Sequence, residues 1–218
     1  MKRPGVLVAA GALSDGATIA LDEEEVHHLR VRRAADGDEV ALFDGAGARA
    51  VGRLTVGRHG ATAAVATVAR EPKPPATVLA VGAGDKDRFL ALAERCTELA
   101  VTQLVPLVTA RSRTVDTRVR ATTIERAARR AREACKQSGA AWATGISPLL
   151  EIERLATTFP GLRWFIGAPG AAPCGTIDRG QPLGWIIGPE GGLTVEEADY
   201  CTTVIGGTQA RLAGHILR

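Results

Sequence analysis

The chain has 218 residues, 45% of them hydrophobic and 23% charged, with a formal net charge of +3. These totals fit one large or two smaller globular domains and exclude a low-complexity chain. No apolar run approaches the roughly 20 residues that span a bilayer, and glycines break the apolar run of the opening MKRPGVLVAAGALSDG, so neither a membrane segment nor a signal peptide is predicted.

The first third reads as short strands. GVLVAA, ATIAL, DEVALFDG, ARAVGRLTV and ATAAVATVA are β-rich or alternating runs broken by Gly and Asp. DEEEVHHLRVRRA between them predicts a short helix and a basic turn. Five short strands in so little chain point to a small antiparallel barrel. EPKPPAT, residues 71–77, has three prolines in seven residues and predicts a stiff connection between domains. Beyond it the pattern changes. TVLAVGAG is a continuous apolar strand, and DRFLALAERCTELAV places Phe89, Leu92, Ala93, Cys96, Leu99 and Ala100 at helical spacing. QLVPLVTA is again strand-like. TIERAARRAREACKQSG is a helix with a small-residue stripe of Ile124, Ala127, Ala128, Ala131, Ala134 and Cys135. RWFIGAPG and LGWIIGPEGG are two more buried strands, the second followed by a helix. Alternating strands and helices predict a mostly parallel α/β sheet.

The charge is unevenly spread. From Arg111 to Lys136 nine basic residues face three acids, a local charge of +6 that leaves −3 for the remainder. Such a segment is either a polyanion contact or a solvated helical face. The four cysteines, Cys96, Cys135, Cys174 and Cys201, form no CxxC pair and no metal-finger spacing. Isolated thiols of this kind predict a reducing, cytoplasmic setting. His27 and His28 have no Cys or acidic partner at ligand spacing, and no metal is predicted.

The stretch WIIGPEGGLTVEEA, Trp185–Ala198, carries the chemistry. Ligands of open α/β sheets bind beyond the carboxyl ends of strands, and IIGPEGG sits at such an end. Gly188, Gly191 and Gly192 let backbone approach a ligand, while Pro189 stiffens the loop. Thr194 and Glu197 form a capping box, so a helix begins directly afterwards. The loop is neither GxxxxGK[ST] nor GxGxxG, and its central Glu190 would repel phosphate. It suits a ligand with positive charge or hydroxyl groups. A tight structural turn is the alternative.

IGPEGGLTVEEA resembles the signature of the RsmE family of SPOUT-class RNA methyltransferases. Four further stretches match that family in order: HHLRVRRAADGDEVALFDGAG (27–47), GDKDRFLALAERCTELAVTQLVPLVTARS (84–112), EACKQSG (133–139) and RLAGHILR (211–218). The resemblance implies a PUA-like or OB-like β-barrel over residues 1–71 and a SPOUT α/β domain with a trefoil knot over residues 78–218. It implies a cytoplasmic homodimer that methylates N3 of a uridine in 16S ribosomal RNA of the small subunit, with S-adenosylmethionine as cofactor.

Three strand-end loops would then hold the cofactor: Ile166, Gly167 and Ala168; Ile187, Gly188, Pro189, Glu190, Gly191 and Gly192; and Leu212, Ala213, Ile216 and Leu217. Arg218 would stabilise the anion that develops on the uracil as N3 loses its proton, and Glu190 would orient base or cofactor. RNA would meet His28, Arg30, Arg32, Arg33, Lys86, Arg88, Arg111, Arg113, Arg126 and Arg130. The sequence departs from the family in three places. Gly139, Ala140 and Ala141 follow Gln137 and Ser138, where the family has QSxR; the glycine of the ELG helix is Ala100, a small change; and the family continues beyond Arg218 with a TETA-type helix. A chain ending at Arg218 is therefore expected to bind cofactor weakly. Two other functions fit the same residues: methylation of another RNA such as transfer RNA, or an RNA-binding assembly protein with a decayed methyltransferase site.

Overall fold

A computed structural model defines the fold and describes residues 3–58, 60–113, 119–178 and 180–211. The chain forms two compact units. One groups the residues up to Lys73 with Ala131–Ala143, and the other groups Pro74–Arg130 with the chain from Thr144 onward.

The first unit is a five-stranded sheet in the order β1-β3-β4-β5-β2, built from β1 (Gly5–Leu7), β2 (Thr18–Ala20), β3 (Glu39–Phe43), β4 (Ala48–Val56) and β5 (Ala61–Arg70). All five predicted strands are present. β1 runs parallel to β3 and every other pairing is antiparallel. The alternation of β4 sends Ala48, Ala50 and Leu54 inward, where they join Val6, Leu13, Val40 and Leu42 in one core. Helix α1 (Glu23–Val31) starts where Asp22 accepts the Glu25 N–H at 2.8 Å and adds Val26 and Leu29 to that core. It ends in a Schellman closure: the Ala34 N–H donates to the Leu29 carbonyl, and the Arg33 N–H donates to the Arg30 carbonyl. The closing position needs left-handed backbone, and it is held by Arg33 at φ 57° instead of a glycine.

A linear division at 71 and 78 leaves out one feature of this unit. Ala131–Ala143, with the second half of helix α3 (Ala121–Ser138), belongs to it. Lys136 explains why. Its Nζ lies 2.7 Å from Glu25 and 2.6 Å from Glu133, and the side chains of Lys136 and Glu25 are each only 3% exposed. A Cβ on Gly5 would sit 2.9 Å from the Lys136 Cβ, so the glycine of β1 makes room for this helix. Arg132 donates to the Val8 carbonyl at 2.8 Å.

The second unit is a seven-stranded sheet in the order β12-β10-β11-β6-β7-β8, with β9 also against β7. Its strands are β6 (Thr77–Gly82), β7 (Gln103–Val108), β8 (Gly145–Ile146), β9 (Leu150–Glu151), β10 (Arg163–Gly167), β11 (Leu183–Ile187) and β12 (Thr208–Ala210). Every pairing is parallel. Helices α2 (Lys86–Glu98), α4 (Leu155–Thr158) and α5 (Val195–Thr203) connect them, with the first half of α3. Parallel strands covered on both faces are apolar throughout, and one cluster holds Val78, Ala80, Val105, Trp164 and Ile186. A second cluster stacks Phe165 on Trp185 with ring centroids 5.0 Å apart. Pro106 has no N–H for a ladder. It falls in the gap on β7 between the residues paired with β8 and those paired with β9. The α/β sheet matches the expectation. Residues 212–218, to which the expected knot extends, lie outside the described residues.

Candidate active site

Strands β6, β11 and β10 are parallel neighbours, so their carboxyl ends, and the loops that leave them, gather along one edge of the sheet. A cavity of about 590 Å³ opens there. The glycines of these loops are packing requirements. A Cβ on Gly82 would lie 2.5 Å from the Pro189 ring, so the proline seats directly on the end of β6. A Cβ on Gly188 would lie 2.9 Å from the Leu193 nitrogen and 3.0 Å from the Gly192 carbonyl carbon. The loop folds back on itself, with the Gly192 N–H donating to the Pro189 carbonyl at 2.7 Å. Helix α5 then starts at the predicted capping box of Thr194 and Glu197.

Glu197 does more than cap. One carboxylate oxygen accepts the Thr194 N–H at 2.9 Å, and the other accepts the Ala110 N–H at 2.7 Å. This ties the loop after β7 to the start of α5. In that loop Arg111 donates to the Gly191 carbonyl. The cavity walls are apolar, with Phe89, Leu92, Ile166, Leu193 and Ala198, and the polar edge is backbone together with Asp85, Arg88, Glu190 and Gln209. Asp85 caps α2 by accepting the Asp87 and Arg88 N–H groups at 3.0 and 2.9 Å. The Arg88 guanidinium meets Glu190 at 2.5 Å, with the two side chains 62% and 57% exposed.

Of the expected cofactor residues, Ile166, Gly167, Ala168, Ile187, Gly188, Pro189, Glu190 and Gly192 line this cavity. Gly191 faces Arg111 instead. Leu212, Ala213, Ile216, Leu217 and Arg218 lie outside the described residues. Sequence reasoning missed the wall from Val81 to Ala83, the helix side with Phe89 and Leu92, and Gln209. Arg88, expected among the RNA contacts, lines the cavity and pairs with Glu190. The signal for these was indirect: only the pairing of β11 with β6 brings residues a hundred positions apart to one edge.

The other basic candidates fall into two groups. Arg113 pairs with Glu151 at 2.8 Å and Arg130 with Glu94 at 3.1 Å. Lys86, Arg126, Arg30, Arg32 and Arg33 are exposed. His28 is half-buried, and burial is the main cause that lowers its pKa, with Lys136 and Arg32 adding to it. Burial also pushes the thiols of Cys96 and Cys201 up to about 12 and that of Cys135 to about 11, which removes them as nucleophiles. Among the described residues no cluster of His, Cys, Asp and Glu could hold a metal ion, and no helix is long and apolar enough to cross a membrane. The titratable groups lining the cavity are Asp85, Arg88 and Glu190. Such a lining suits a bulky amphipathic ligand with a cationic group.

A glycine-lined cavity beyond the carboxyl ends of parallel strands is where open α/β folds bind their ligands. The chain belongs to the family described as RNA methyltransferase domain, which matches residues 71–218, and the RNA methyltransferase PUA domain matches residues 21–65. The fold is similar to that of ribosomal RNA small subunit methyltransferase E from Neisseria gonorrhoeae bound to S-adenosyl methionine, with 26% identity, 100% of this chain and 92% of that one covered, and a TM-score of 0.86. It is also similar in fold to a putative methyltransferase from Legionella pneumophila in complex with the same cofactor, at 20% identity, 100% and 92% coverage, and a TM-score of 0.78. A predicted RNA methyltransferase from Thermotoga maritima shares the fold at 24% identity, 99% and 91% coverage, and a TM-score of 0.71. No curated protein matches the chain.

Proposed function

We propose that this protein transfers a methyl group from S-adenosylmethionine to N3 of a uridine in 16S ribosomal RNA of the small subunit. The observation that supports this reading best is the cavity at the ends of β6, β10 and β11, in a chain of the RNA methyltransferase family. The residues fit the cofactor. A cavity of about 590 Å³ is within the usual range for a ligand of that size, roughly 300–1,000 Å³. Ile166, Phe89, Leu92 and Leu193 offer apolar contact to an adenine, the backbone of residues 187–192 offers hydrogen bonds, and Asp85 and Glu190 offer negative charge for a cationic ligand.

The bound cofactor supplies an electrophilic methyl group on a sulfonium. The protein's share is largely positional, because holding two reactants in line replaces the entropy cost of their encounter. Pro189 on Gly82 and Arg111 on the Gly191 carbonyl fix the loop that carries Glu190. Arg88 fixes the Glu190 carboxylate, so Glu190 orients ligand groups as a shared rather than a free charge. Arg218, on the strength of the family motif, is the group that stabilises the developing anion on the uracil oxygens. Arg30, Arg32, Arg33, Lys86 and Arg126 are exposed cations suited to phosphate contacts, which supply affinity and not sequence choice. The homodimer and the cytoplasmic setting are part of the same reading.

Calorimetric titration of S-adenosylmethionine into the protein tests it. The expected result is a single site that S-adenosylhomocysteine also occupies. An absence of binding heat at all temperatures, with no shift in melting temperature, would leave the loop as a structural turn.

A further inference from the structure

The cavity at the strand ends carries a complementary pair of charges. Arg88 is the only cation among the described residues that line it. It stands in the first turn of α2, next to Phe89 on the same cavity wall. Its guanidinium meets Oε1 of Glu190 at 2.5 Å, across 102 positions of chain. The other oxygen of that carboxylate lies over Gly84, where an added Cβ would stand 3.1 Å from Glu190 Oε2. Both charges rest on fixed supports. Asp85 caps the helix that carries Arg88, and Pro189, seated on Gly82, precedes Glu190.

The pair contributes little to the fold. Both side chains are more than half exposed, and exposed ion pairs are weak because water screens them and two long side chains must be ordered. An ion pair at the edge of a ligand cavity, and weak on its own, is readily exchanged for a ligand's charges. S-adenosylmethionine has a carboxylate and an ammonium at its amino-acid end, besides its sulfonium. The cavity lining has one guanidinium and two carboxylates, Asp85 and Glu190. The two sets match in number and are opposite in sign.

We infer that Arg88 and Glu190 together seat the amino-acid end of the cofactor, the guanidinium taking its carboxylate and Glu190 its ammonium, in exchange for one another. The inference rests on the reading of the protein as an S-adenosylmethionine-dependent enzyme. A guanidinium fork matches a carboxylate with two parallel N–H groups, whereas lysine meets it only as a point charge. Arg88 is then a specificity-determining residue. It separates ligands with an amino-acid carboxylate from adenine nucleosides that lack one.

The test is calorimetric titration of the whole protein with three probes: S-adenosylhomocysteine, its decarboxylated form, and 5′-methylthioadenosine, which has no amino-acid end. The parent should prefer S-adenosylhomocysteine to 5′-methylthioadenosine by about tenfold or more, the scale of a hydrogen bond to a charged group. Arg88→Ala should lose about tenfold on S-adenosylhomocysteine and nothing on the other two probes. Arg88→Lys should recover part of that loss. Glu190→Gln should weaken both probes that carry the ammonium and spare 5′-methylthioadenosine. Arg95→Ala, on the same helix but paired with Glu98 away from the cavity, should bind all three as the parent does. Equal losses on all three probes in Arg88→Ala would make Arg88 a structural support. Unchanged or tighter binding of S-adenosylhomocysteine would make it a competitor for Glu190. Either result overturns the inference. A parent that binds S-adenosylhomocysteine and 5′-methylthioadenosine equally well also overturns it and leaves the cofactor reading intact, whereas a parent that binds none of the three refutes both.

Discussion

Gly188→Ala bears directly on the loop proposed to hold the cofactor. The added Cβ would sit 2.9 Å from the Leu193 nitrogen, 3.0 Å from the Gly192 carbonyl carbon and 3.1 Å from the Gly192 Cα, against 3.4 Å or more in ordinary contact. All three are backbone atoms, so no rotamer change relieves them, and the loop must open by about 0.5 Å. Overpacking of this kind costs about 1–3 kcal/mol. If the ligand needs the closed loop, that cost appears in binding as a loss of about 5- to 150-fold. Gly170→Ala is the control, because a Cβ there meets nothing within 4 Å. Calorimetric titration of S-adenosylmethionine into the parent and both variants makes the measurement. Parent-like affinity in Gly188→Ala would refute the argument that this loop shapes the site, as would an equal loss in Gly170→Ala.

Three further outcomes follow from the structure. Ala100→Gly should stabilise the protein: Ala100 closes α2 at φ 59°, a conformation costing an L-residue about 1–2 kcal/mol, and glycine's extra chain entropy offsets only part of the relief. A net gain of about 0.5–1 kcal/mol raises the melting temperature by about 1–4 °C, and a lower melting temperature would contradict it. Lys136→Met leaves Glu25 buried without its partner and should cost about 3–5 kcal/mol at neutral pH by chemical denaturation. Burial already raises the Glu25 pKa above 4.5, so its ionised form disfavours folding above that pH. The deficit of the variant should therefore shrink as pH falls toward 4.5, and a deficit that grows would be wrong for this sign. Glu197→Ala removes the acceptor of both the Thr194 and Ala110 N–H groups, so it should lower stability by about 1–2 kcal/mol and raise the Kd for S-adenosylmethionine. Unchanged hydrogen exchange at Ala110 would show that the tie is absent.

The elements with a clear period or cap were legible in the chain. The five strands of the first unit, the helix capped by Thr194 and the apolar strands β6, β10 and β11 lie where alternation and capping chemistry put them. Strands β8 and β9, of two residues each, are too short to carry any period, and their pairing with β7 is what defines them. The split allegiance of α3 was hidden for another reason. EACKQSG has the pattern of an ordinary helix end, and contacts distant in sequence, such as Lys136 with Glu25, 111 positions away, and Arg132 with Val8, draw it to the first unit. The two described strand-end loops around the cavity were readable because their glycines are local, whereas the opposite wall at Gly82, Phe89 and Leu92 depends on sheet order. The change at Ala100 is small in volume and not in backbone: the position asks for left-handed φ, which composition does not display.

The central claim is a chemical one, and the product answers it most directly. The protein should be incubated with S-adenosylmethionine labelled in its methyl group and with small ribosomal subunits lacking the modification, after which the RNA is digested to nucleosides and separated by chromatography with mass detection. The account predicts labelled 3-methyluridine from 16S ribosomal RNA and none from transfer RNA. Label in 5-methyluridine or a ribose-methylated nucleoside, label in transfer RNA, or no label with cofactor bound would contradict it.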